Sequence, residues 1–311
     1  MASFSPTAPD ARAIPSSVAP LPPMSQSLIN RRKGSNIGMQ ALCGFATLLA
    51  IIPLILVLSY VTIKGLQVMN LDFFTEVQRP ANDAGGGMKH SIVGTLMMVA
   101  LACGIGLPFG IMGGIYLSEF GGNRLGFAIR FAADVLNGVP SIIIGLFVYA
   151  IAVLPVTKAT NGEVTFSAWA GGLALGIMMI PTIMRTTEEI VRLVPMSLRE
   201  GALALGDTRW HSVFKIVLAS AKGGVVTGVL LAIARISGET APLLFTALSN
   251  NFYNTDPSRP TASLPVTIYQ FATSPSDNWQ ALAWGGALVL VSLIFVLSIA
   301  ARYFTRTKNF G

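Results

Sequence analysis

Long apolar runs without a charged residue alternate with short polar segments along this chain. Residues 34–63, 91–118, 135–157, 164–184 and 278–301 each contain no Asp, Glu, Lys or Arg. About 20 apolar residues cross ~30 Å of hydrocarbon as a helix, so each run is long enough to span a bilayer. A further stretch at about 213–249 is interrupted only by Lys215, Lys222, Arg235 and Glu239. The pattern predicts an all-α polytopic membrane protein with six transmembrane helices.

Composition agrees with this. The 311 residues are 52% hydrophobic and only 11% charged, against about 25% charged in soluble domains. The net charge of +7 has two readings, nucleic-acid binding or membrane topology. The basic residues flank the apolar runs and do not gather in one patch, so topology is the better account and no nucleic-acid partner is expected. With both termini cytoplasmic, fifteen Lys and Arg lie inside and five outside, with Arg235 left in the membrane.

Residues 1–36 hold six prolines and many Ser and Ala, and read as a disordered cytoplasmic tail. No signal peptide is expected there, because the apolar run starts only after Arg31-Arg32-Lys33 and no small-residue cleavage site follows it. Residues 37–87 read as a first span with its outer loop, and 88–311 as a core of five further spans. Gly113-Gly114, Gly171-Gly172, Gly223-Gly224 and Gly285-Gly286 allow helices to approach closely, and Pro108, Pro140, Pro181 and Pro242 are expected to kink spans. Cys43 and Cys103 read as packing residues, and His90 and His211 lie far apart in the chain, so neither metal nor cofactor is expected.

Two features carry candidate chemistry. Arg235 and Glu239 lie four residues apart in an apolar stretch, a spacing that places both on one face if the helix is continuous. An ionisable residue at a span's centre costs about 2.5–3.5 kcal/mol on insertion scales and marks an ion pathway by default. The second feature is the charge-dense inside loop at about 185–215. Pro195 is expected to end one helix there, Ser197 to cap the next with Glu200 at capping-box spacing, and Gly206 to stop it. A short capped helix at the membrane surface suits a docking element.

Glu200-Gly201-Ala202-x3-Gly206-x9-Ile216-x-Leu218 resembles the EAA loop of ABC-importer permeases, with Gly201 in place of Ala and Ala219 in place of the final Pro. Arg185-Thr-Thr-Glu188, Val194-Pro195-x-Ser197-Leu198-Arg199-Glu200 and the run from Ala232 through Arg235 and Glu239 to Ser249 resemble the A-type permease family of the bacterial phosphate transport system. Leu264-Pro265-Val266-Thr267-Ile268 and the segment from Trp279 to Trp284 do so too, and the resemblance covers roughly residues 88–311. It implies a six-helix bundle of the type I importer class, with Glu200, Gly201, Ala202 and Gly206 in a coupling helix that fits the ATP-binding subunit. It also implies a sister permease, two copies of that subunit and an external phosphate-binding protein in the bacterial inner membrane.

Arg185, Arg235 and Glu239 are then the expected substrate path. Arginine stays charged and offers paired donors to phosphate oxygens. Glu239 would either compensate Arg235 in the empty path or assist release. The chain contains no G-x4-G-K-[ST] motif, so energy from ATP needs a separate subunit and the chain is not itself expected to be an enzyme. Competing readings are a permease for another oxyanion (sulfate, molybdate, phosphonate), a stand-alone secondary transporter, and a membrane enzyme or scaffold. The secondary transporter is disfavoured because six spans show no evident internal repeat.

Overall fold

A computed structural model describes residues 26–305 apart from Asn82, Ala84 and Val164. Among these, six helical stretches are long and apolar enough to cross a membrane, as the charge pattern predicts. The expected tail falls outside the described residues up to position 25, and from Gln26 the chain is helical. Helix α1 (Gln26–Leu66) carries the first span, and through Leu58 it forms a unit by itself. From Ser59 onward the chain packs as a second unit, which includes the short α2 (Leu71–Thr75).

The centre of this unit is the pair α3 (Lys89–Glu119) and α7 (Ala168–Arg192). Small residues let the two backbones approach. Gly106, Gly110 and Gly114 recur every fourth position on α3 and face Met179, Ile183 and Thr187 of α7. Gly172 and Gly176 of α7 receive Leu101 and Ile105 in return. This is the small-xxx-small packing that membrane helices use where apolar burial gives no driving force. A Cβ on Gly114 would lie 2.5 Å from the Thr187 Cβ and 2.6 Å from the Met184 carbonyl oxygen. Gly114→Val is expected to lower stability by about 1–3 kcal/mol, since a backbone oxygen cannot move aside. Thermal unfolding of the purified protein checks this, with Gly104→Val as the control because nothing lies within 4 Å of its Cβ position.

Two of the expected spans are broken. The run at 135–157 is helical in two parts, α4 (Arg124–Gly138) and α5 (Ser141–Val148), the latter continuing through a π turn into α6 (Leu154–Ala159). The break is chemical: the Pro140 ring disfavours the helical region for the residue before it, and Val139 sits at ψ 129°. The run at 213–249 is likewise not one helix. A short α9 (Arg209–Ser212) passes through a second π turn into α10 (Leu218–Ser237), which ends on Gly238. The chain restarts as α11 (Ala241–Thr246), with Pro242 in its first turn, where a missing N–H is tolerated.

Between the fourth and fifth spans lies α8 (Met196–Ala204). Its start differs from the capping-box expectation. Pro195 occupies the N-cap at ψ 140° with no side-chain cap, so Ser197 is already inside the helix. Its end agrees with the expectation. Gly206 has φ +85°, its N–H bonds the Leu203 carbonyl, and the Asp207 N–H bonds the Ala202 carbonyl. This is the paired Schellman closure that favours glycine.

Loops at the opposite end are held down by α12 (Leu264–Ala272). The Ser91 and Thr267 hydroxyls lie 2.7 Å apart, and Thr95 Oγ1 accepts from the Leu264 N–H at 2.7 Å. Phe73, Met88, Leu264, Phe271 and Leu282 form the buried cluster beneath, against the last helix, α13 (Asp277–Thr305).

Candidate functional site

The two helix breaks meet. Arg235 and Glu239 line one cleft of about 230 Å³ together with Asn137, Val139, Pro140, Ser141 and Met178. Irregular backbone at membrane depth is tolerated where it borders a cavity, and discontinuous helices build the sites of many transporters. The cleft opens on the surface of the chain, with Asn137, Pro140 and Arg235 exposed, and lies away from the helix ends. Asn137 faces the Thr182 hydroxyl of α7 at 3.5 Å. Thr182 precedes the Arg192 end of α7 by roughly 15 Å at 1.5 Å per residue.

The break changes the relation between the charged pair. Because α10 stops at Ser237, Arg235 lies in its last turn and Glu239 in the connection to α11. The two are not stacked on one helix face, and among the described residues no ion pair joins them. Arg235 is exposed on the chain and Glu239 half-buried. The cleft therefore presents a cation and a carboxylate separately. The positive end of α5 at Ser141 adds to the cationic side. The negative end of α10 stabilises Arg235 where it sits.

Arg185 does not line this cleft. It pairs through both guanidinium arms with Asp134 of α4, one at 2.9 Å, and reaches Glu188 at 3.4 Å. Glu188 is the hub of this second cluster, a carboxylate only 2% exposed. Arg130 Nε approaches it at 2.7 Å and Arg192 at 2.6 Å. Arg130 also donates to the carbonyls of Leu117 at 2.6 Å and Gly121 at 2.9 Å. The cluster fastens α4 to α7 and to the end of α3. In the sequence Arg130 and Asp134 read only as a loop charge and a run boundary, and Glu188 only as a member of the Arg185-Thr-Thr-Glu188 motif with no role of its own. The amphipathic spacing of α4 was the available signal.

The predicted docking residues take distinct positions. Ala202 is buried beneath α8, Glu200 and Gly201 are exposed, and Gly206 closes the helix. The residue that holds α8 down is Arg199, present in the motif that carries the resemblance but not among the expected docking residues. Its Nε and Nη2 donate to Glu119 at 3.1 and 2.8 Å, and it also bonds the Val191 and Val194 carbonyls. Arg209 donates to the Glu119 carbonyl at 2.6 Å and lies over the Phe120 ring. Leu205, at the tip, is 90% exposed.

A membrane bundle whose broken helices border an open charged cleft, with an anchored helix at one end offering an apolar tip, is the architecture of a solute permease. Residues 106–309 match the family of binding-protein-dependent transport system inner membrane components, and the chain belongs to that family. Its relatives are specific. A Yersinia pestis protein named phosphate transport system permease protein PstA is 47% identical over 257 residues, covering 82% of this chain and 85% of the relative. A PstA of Pasteurella multocida is 42% identical over 92% of this chain and 100% of its own length. The fold matches a solved bacterial ABC transporter that imports alginate, at TM-score 0.59 and 17% identity over 89% of this chain and 100% of that one. The MetNI methionine ABC transporter matches at TM-score 0.52 and 19% identity, over 70% and 96%.

Proposed function

We propose that this chain is the permease subunit of an ATP-driven importer of inorganic phosphate, and that phosphate passes the cleft of Arg235 and Glu239. The relatives named for phosphate transport support the substrate. The observation that carries the path is the meeting of two broken helices around that unpaired Arg235. Phosphate entering hydrocarbon must exchange its hydration for donors, and a guanidinium supplies two aligned N–H groups with a permanent charge. Arg185 is the next cation toward the α8 end and becomes an anion station when its pair with Asp134 opens.

Membership of the importer-permease family supports the partners and orientation. The end bearing α8 faces the cytoplasm, and the exposed tip of α8 seats on an ATP-binding subunit present in two copies. A sister permease completes the path, and an external phosphate-binding protein delivers the anion. Purification with co-expressed partners and reconstitution into proteoliposomes tests this. Phosphate uptake is expected to require ATP, and uptake by the isolated chain on a proton gradient would overturn the reading. Leu205→Asp is expected to reduce co-purification of the ATP-binding subunit about tenfold, since it puts a charge into an apolar seat. Undiminished co-purification would place the contact elsewhere.

A further inference from the structure

We propose that Glu239 is the selectivity residue of the cleft, admitting oxyanions that carry a proton and rejecting those that carry none. The inference rests on the phosphate path proposed above. Glu239 shares the cleft with Arg235 but forms no ion pair with it, so charge compensation by contact does not account for its presence. A carboxylate facing an anion path is repulsive unless the anion offers a donor. Ionised phosphate at neutral pH keeps at least one O–H, and arsenate does the same. Sulfate is fully deprotonated and offers acceptors only.

The geometry sorts these anions by hydrogen bonding. Arg235 donates N–H groups to unprotonated oxygens, while a phosphate O–H donates to Glu239. Ser141, on the same cleft, contributes a hydroxyl that can serve either kind of oxygen. Sulfate satisfies Arg235 equally well but sets an oxygen lone pair against the Glu239 carboxylate. A site built around a substrate O–H rejects an analogue without it by orders of magnitude when closed, because its acceptor is left unpaired. In this open cleft the discrimination is set at about tenfold or more.

The test measures anion binding to the assembled complex without the external binding protein, whose own selectivity would mask the effect. Line broadening of inorganic phosphate in ³¹P spectra at millimolar concentration reports weak binding, with arsenate and sulfate as competitors. In the unaltered complex, arsenate is expected to compete within about threefold of phosphate and sulfate at least about tenfold more weakly. In Glu239→Gln, whose amide donates an N–H, the sulfate deficit is expected to fall to about threefold or less. Glu239→Asp is expected to keep it. Equal competition by sulfate and arsenate in the unaltered complex, or an unchanged ratio in Glu239→Gln, overturns the assignment. Phosphate broadening that persists undiminished in Arg235→Gln overturns the path reading instead.

Discussion

Arg235→Gln is expected to lower ATP-driven phosphate uptake about 100-fold while leaving the complex assembled. The size follows from what the guanidinium offers. Hydrogen bonds to a charged group contribute about 1.5–3 kcal/mol each, and two such bonds to phosphate are lost or reduced to neutral ones. A net loss of about 3 kcal/mol corresponds to roughly two decades in rate. Assembly is expected to survive because Arg235 is exposed on the chain, occupies the last turn of α10 and has no ion-pair partner there. Radiolabelled phosphate uptake in proteoliposomes, read beside subunit stoichiometry, checks both halves. Uptake near the unaltered level would make Arg235 a structural charge.

Glu188→Gln is the second large effect, and it falls on stability. Glu188 is buried and meets Arg130, Arg185 and Arg192. Breaking a buried ion pair by removing one partner costs about 3–5 kcal/mol, because the remaining charge is left uncompensated. Arg130 is the critical survivor, with a side chain only 24% exposed and the bridge from α4 to α7 resting on it. Asp134→Asn provides the contrast. That carboxylate is 57% exposed, and an exposed pair contributes about 0–1 kcal/mol. Thermal unfolding of the purified complex should therefore separate the two variants clearly. Equal midpoints would show that the Glu188 cluster does not hold α4 on α7.

The charge pattern was enough for the six spans, since runs from Ser91 to Ser118 or from Asn278 to Ala301 contain no charged side chain that would have to leave water. It was also enough to single out Arg235 and Glu239, because their presence among apolar neighbours is improbable without a use. The stop at Gly206 was legible because a positive φ favours one residue type. The start of α8 differs from the expectation, since Ser197 and Glu200 have capping-box spacing but Pro195 already turns the chain two positions earlier.

What the sequence by itself determined was local: where the chain can lie in hydrocarbon, where glycine and proline punctuate it, and which charges are out of place. The tertiary structure alone decided which of those charges meet. Arg199 and Glu119 are eighty residues apart, and Arg130 and Glu188 fifty-eight, distances over which no periodicity carries information. Only the docking of α4 on α7 and of α8 on the end of α3 brings them together. The fold also leaves Arg185 outside the cleft and, by bringing the two helix breaks together, makes a pair spaced i,i+4 into two separate sides of one cleft.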